Sequence, residues 1–154
     1  MLPDIFQLIK KLDSLDYVVE EELATILLLM LKLKKPLLLE GPPGVGKTEA
    51  SQIIASYLNT KLIRLQCYEG LDVNSAVYEW NYQKQLLSIK LTESSALSSA
   101  EKESHIFGDE FLLKRPLLQA ITESDKAPVL LIDEIDRADE EFEAFLLELL
   151  SAYQ

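Results

Sequence analysis

The chain has 154 residues, 48% of them hydrophobic and 27% charged, an ordinary balance for one soluble globular domain. Its formal net charge of −11 argues against a nucleic-acid groove, because phosphate backbones would be repelled rather than steered in. A single cysteine, Cys67, leaves no internal disulfide and fits a reducing, cytoplasmic setting.

Residues 4–15 place Ile5, Leu8, Ile9 and Leu12 at helical spacing. A second helix is expected over 20–34, apolar nearly all round and therefore buried. Its apolar stretch, Leu23 to Leu31, is about half of the roughly 20 residues that a bilayer span needs. Acids rather than bases precede it and no small-residue cleavage site follows, so neither a membrane segment nor a signal peptide is expected. Pro36 stops that helix, and residues 36–40 read as a short buried strand. Gly41-Pro42-Pro43-Gly44-Val45-Gly46 can continue neither element and must be a loop.

From Lys47 the helical period returns with Ala50, Ile53, Ile54, Tyr57 and Leu58, and Asn59 closes it. Residues 61–67 alternate apolar and polar, which predicts a second strand with Cys67 small and buried at its end. Residues 77–80 and 86–91 read as two short strands around 81–84, a hairpin whose turn lacks glycine. The Ser-, Ala-, Glu- and Lys-rich run 92–105 is an exposed helix or a mobile segment, and Pro116 suits the first turn of a helix through Ser124. Val129 to Asp133 is a third buried strand. The helix expected over 139–152 carries Phe142, Phe145, Leu146, Leu149 and Leu150 on one face. No linker divides the chain. Strands alternating with helices predict an α/β sandwich with a mainly parallel sheet.

The chemistry is concentrated in Gly41 to Thr48, which fits the pattern G-x-x-x-x-G-K-[ST]. A polyphosphate needs donors at close range, and glycines let backbone amides turn inward without a Cβ in the way. The helix opening at Lys47 adds the positive end of its dipole. Lys47 offers an ammonium to the β and γ phosphates of ATP, and the Thr48 hydroxyl completes a Mg²⁺ shell. A plain glycine-rich turn is the alternative, disfavoured by the strand before it and the helix after it. Val129-Leu130-Leu131-Ile132-Asp133-Glu134 supplies a second signal, a buried parallel strand with two acids at the end where such sheets bind ligands. Asp133 can hold the magnesium through water beside Thr48, and Glu134 can polarise the attacking water as general base. An acidic helix start would explain those acids equally well by themselves, and the loop upstream decides for chemistry.

Weaker features remain. The acid-rich run around Arg137 reads as a solvated helix start, with a subunit contact through Arg137 as the alternative. Trp80 and Tyr82 either pack on neighbours or touch a client protein. His105 has no metal-ligand spacing around it.

Three stretches, 37–49, 64–87 and 112–150, resemble the AAA+ ATPases and, within them, the MoxR family. The middle stretch looks like the branch that includes CoxD, an accessory protein for carbon monoxide dehydrogenase maturation. The resemblance implies nucleotide contacts along Gly41 to Glu49, and an adenine pocket that begins around Tyr17, Val18 and Val19. It also implies a β-hairpin insert at about 77–91 and a homo-oligomeric, hexameric ring that remodels a client protein. A partner with a von Willebrand factor A domain often accompanies such ATPases. In the family, a further strand with sensor 1, an arginine finger and a helical lid follow the segment that ends here at Gln154. That strand normally lies between the phosphate-loop strand and the Asp133 strand. Two alternatives follow: the sequence is partial, or those two strands pair directly. The 154-residue chain alone is expected to hydrolyse ATP very slowly, since an arginine finger is worth roughly 10³–10⁵ in turnover. A small P-loop kinase and a non-hydrolysing nucleotide-binding module remain as rival readings. The tandem acids favour water activation over the kinase.

Overall fold

A computed structural model of the protein describes residues 4–92 and 98–152. The first helix, α1 (Ile5–Asp13), is capped by Asp4, whose carboxylate accepts from the Gln7 N–H at 2.9 Å. It buries Leu8 and Leu12, one turn apart, against α2 (Glu21–Leu33). The second helix buries Ala24, Leu27 and Leu28 but leaves Ile26, Leu29 and Leu33 exposed. The expectation of a wholly buried helix is therefore corrected. Its apolar residues encircle it, yet packing partners cover one side.

Residues 36–40 form no strand. Leu37 packs into the core beside Leu8 and Ile54, while Leu38 points outward and is 68% exposed. A strand is held by a ladder, and no described strand lies alongside this segment. The ladder forms elsewhere. β1 (Leu62–Gln66) pairs in parallel with the Val129–Asp133 strand, setting Leu62 against Val129 and Gln66 against Asp133. Among the described residues, the phosphate-loop segment forms no ladder with the Asp133 strand.

The expected hairpin is also corrected. Tyr78–Trp80 is a strand, β2, but it pairs antiparallel with β3 (Leu112–Lys114), a strand the sequence reading missed. The second arm is helical: α5 spans Tyr82–Thr92. Asn81 decides the matter, since its side chain accepts from the Lys84 N–H at 3.0 Å and its carbonyl accepts from the Gln85 N–H at 2.9 Å. A turn without glycine had no means of reversing the chain, and asparagine started a helix instead. Ahead of β2 lies the short α4 (Val73–Val77), capped by Asp72. Of the run 92–105, expected to be an exposed helix or a mobile segment, Thr92 closes α5 and a helix, α6 (Ser99–Ile106), is opened by a reciprocal capping box between Ser98 and Glu101. Residues 93–97 of that expectation lie outside the described residues.

The remaining elements follow the sequence closely. The helix α3 (Lys47–Leu58) leaves the glycine loop and ends at Asn59 in the left-handed conformation. Pro116 opens α7 (Pro116–Thr122), Val129–Asp133 is β4, half-buried along its whole length rather than buried as expected, and α8 (Glu140–Ala152) is capped by Asp139 at 2.8 Å from the Phe142 N–H.

Strand side chains alternate between faces, so β1 and β4 feed two cores. Leu65, Leu130 and Ile132 pack with Ala76 of α4, Leu117 of α7, and Phe142 and Leu146 of α8. On the opposite face Val129 meets Leu8, Leu27 and Ile54, from α1, α2 and α3. This is a three-layer α/β arrangement around a parallel pair. Full burial of a residue such as Phe142 or Leu146 contributes about 1.5–3 kcal/mol, which is why the sheet needs helices on both sides. Among the described residues, no helix is long and apolar enough to cross a membrane.

Candidate nucleotide site

The loop Gly41–Gly46 connects the extended segment 36–40 to the first turn of α3. Gly44 and Gly46 have φ of +84° and +87°, a backbone region that side chains disfavour by about 1–2 kcal/mol. A Cβ at Gly44 would meet nothing within 4 Å, so conformation rather than space requires glycine there. Pro42, Pro43 and Val45 are exposed on the loop, and Gly46, Lys47 and Thr48 are half-buried at the helix start.

Lys47 folds back over this loop. Its Nζ donates to the Gly41 carbonyl at 2.7 Å and to the Pro42 carbonyl at 2.8 Å. Thr48, one residue on, directs its hydroxyl at the Oδ2 of Asp133, 3.4 Å away, at the end of β4. The two motifs that the sequence set far apart therefore converge.

Glu134 follows with φ 55° and ψ 45°, a left-handed turn that ends the strand. Its carboxylate forms an ion pair with the Arg137 guanidinium, Oε2 to Nε 3.0 Å. Both partners are about half exposed, and such a pair is worth roughly 0–1 kcal/mol, weak enough to open. Glu49 lies in the first turn of α3, where its charge favours the helix dipole. Burial, and then the Glu49 charge, raise the Tyr17 pKa above its ordinary value. Val19 packs into the core there and Val18 is 89% exposed. Cys67 is buried at the end of β1, and its thiol pKa is raised by burial first and then by Asp133, Asp136 and Glu134.

One residue at the site escaped the sequence reading. Arg64 donates from Nη2 to the Oδ2 of Asp133 at 2.7 Å and to the Oε1 of Gln66 at 2.6 Å. The alternation in 61–67 held the signal, because it sets Arg64 and Gln66 on one face of β1. The register with β4, which sequence spacing does not give, makes that face the one Asp133 occupies.

A hydroxyl and a carboxylate oxygen are the hard donors that Mg²⁺ takes, and it commonly uses only one or two protein carboxylates beside phosphate and water. Thr48, Asp133 and the adjoining glycine loop fit a magnesium nucleotide on that ground. A family model described as AAA domain (dynein-related subfamily) matches residues 36–154. The chain belongs to that AAA domain family. The matched span contains the glycine loop, Arg64, Asp133 and Glu134. Membership in the AAA domain family supports an ATP-binding AAA+ core and agrees with the α/β architecture. No curated protein and no solved structure matches this AAA domain chain.

Proposed function

We propose that the protein is the MgATP-binding and ATP-hydrolysing core of a MoxR-type AAA+ ATPase that remodels or matures a client protein. The observation that carries this reading is the 3.4 Å approach of the Thr48 hydroxyl to the Asp133 carboxylate, beside the glycine loop of an AAA domain. In this reading the backbone amides from Gly41 to Gly46 bind the phosphates. Lys47 exchanges its two carbonyl acceptors for phosphate oxygens, an exchange of neutral for charge-assisted hydrogen bonds. Thr48 and Asp133 hold Mg²⁺, which when bound supplies positive charge against the charge that develops on the phosphates. Glu134, released from Arg137, accepts a proton from the attacking water. Val18 and Val19 edge the adenine, with Glu49 nearby. The resemblance over 64–87 and 112–150 supports the MoxR-type branch, and with it a cytoplasmic homo-oligomeric ring and a von Willebrand factor A domain partner.

The test is binding of a fluorescent ATP analogue to the pure chain with Mg²⁺ and with EDTA, using Lys47→Ala as control. Saturable binding that Mg²⁺ strengthens and Lys47→Ala abolishes is expected. Binding indifferent to Mg²⁺ would point to a non-hydrolysing nucleotide module, and no binding would defeat the reading altogether.

A further inference from the structure

We propose that Arg64 is a resident counter-ion that occupies the metal-facing oxygen of Asp133 and must let go before a divalent cation binds there. This deepens the MgATP reading and rests on it. The starting point is the strand pair. Gln66 stands directly opposite Asp133 in the parallel register and Arg64 stands opposite Leu131, so Arg64, Gln66 and Asp133 share one face. From that diagonal position a long side chain reaches its neighbour. The Arg64 Nη2 is clamped at two points, 2.6 Å from the Gln66 Oε1 and 2.7 Å from the Asp133 Oδ2.

That same Oδ2 faces the Thr48 hydroxyl at 3.4 Å. A hydrated Mg²⁺ shared by Thr48 and Asp133 would therefore need the oxygen that Arg64 already holds. A guanidinium does not lose its proton in a protein, so it cannot yield by neutralising. It can yield only by moving. The exposures allow this: the Arg64 side chain is 52% exposed and the Asp133 side chain 20%, so the arginine can swing into water while the carboxylate stays. Repulsion between the arriving dication and the guanidinium drives that movement, and the nucleotide-free site keeps its aspartate neutralised in the meantime.

The consequence is quantitative. If the pair must open, the apparent cation affinity is lowered by the fraction of time that Asp133 is free. For an ion pair this exposed, the reduction is about two- to fivefold. Removing the guanidinium should return it. An arginine that merely held Asp133 in position would do the reverse, and its loss would raise the cation demand.

The experiment is a Mg²⁺ titration of fluorescent ATP analogue binding, on the wild-type chain and on Arg64→Gln, Arg64→Lys and Gln66→Leu. Half-saturation at about two- to fivefold lower Mg²⁺ is expected for Arg64→Gln. Smaller shifts in the same direction are expected for Arg64→Lys, which keeps the charge but loses the fork, and for Gln66→Leu, which loosens the clamp. A second readout uses the wild-type chain alone: arginine side-chain nitrogen-15 spectra should show the Arg64 guanidinium restrained without metal and freely rotating once Mg²⁺ and nucleotide are added. An unchanged or higher Mg²⁺ requirement in Arg64→Gln, or a guanidinium that stays restrained in the loaded chain, overturns the inference while leaving MgATP binding intact. A wild-type chain whose nucleotide binding ignores Mg²⁺ overturns the proposed function first, and this inference with it.

Discussion

The Thr48 hydroxyl and the Asp133 Oδ2 lie 3.4 Å apart although 85 positions separate them in the sequence. Two packing events create that proximity. Ile54 on α3 and Val129 on β4 join the same core, and the β1–β4 ladder fixes how far the strand end projects. Replacing either oxygen should act on the cation and not on the loop. Thr48→Ala and Asp133→Asn are each expected to lose about 10- to 100-fold of the Mg²⁺-dependent nucleotide affinity, the usual range for groups that orient a metal site. Affinity in EDTA should change little. A fluorescence titration in both buffers checks this.

The glycine at position 46 can be separated from its surroundings by a matched control. Gly46 and Gly70 have nearly the same φ, +87° and +83°, but Gly70 lies in the turn after β1. Gly46→Ala and Gly70→Ala should each lower stability by about 1–2 kcal/mol, the cost of a left-handed alanine. Only Gly46→Ala should also weaken nucleotide binding. Urea unfolding beside a binding titration gives both numbers.

Asn81 tests the helix that replaced the expected hairpin. Its side chain caps α5 through the Lys84 N–H, so Asn81→Ala should cost about 0.5–2 kcal/mol and reduce helical signal in the far ultraviolet. Asn81→Gly should cost only a few tenths, because glycine is itself tolerated as a cap. A hairpin turn would respond the other way, with glycine improving it.

The alkaline limit of stability has a definite sign. Burial raises the pKa of the Cys67 thiol, with Asp133, Asp136 and Glu134 adding to it, and burial also raises those of Tyr17 and Tyr57. A raised folded-state pKa favours the protonated form in the fold. The associated stability is full below the unfolded values and is lost as pH rises through the folded ones. Urea midpoints should therefore hold near pH 8 and decline from about pH 9 upward, first through the thiol and then through the phenols. Cys67→Ala should flatten the earlier part of that decline. The native thiol should also resist an aromatic disulfide reagent at neutral pH until the chain unfolds, because it is 1% exposed.

Which parts were legible in the sequence follows from whether local or distant partners decide them. Periodicity gave α1, α3 and α8, since the residues that repeat are the ones that bury. The glycine loop and Asp133-Glu134 stood out in the sequence because the phosphate chemistry proposed for them fixes residue types at fixed spacing. The segment 36–40 misled, as four consecutive positions Leu37, Leu38, Leu39 and Glu40 satisfy a strand pattern while the ladder must come from elsewhere. At 82–92 the apolar residues Leu86, Leu87, Ile89 and Leu91 fit either element, and the Asn81 cap decided. Arg64 was invisible as a site residue because its meaning depends on the strand beside it.

The kink at Glu134 has a consequence of its own. A non-glycine residue at φ 55° carries about 1–3 kcal/mol of backbone strain, and the fold sustains it one residue beyond its central ladder. Glu134→Gly should relieve that strain in part, against the greater freedom glycine gives the unfolded chain. Glu134→Gln should leave it in place. The glycine variant is thus expected to melt higher than the glutamine variant although both lack the acid, which would show that the native side chain is held there against the preference of its own backbone.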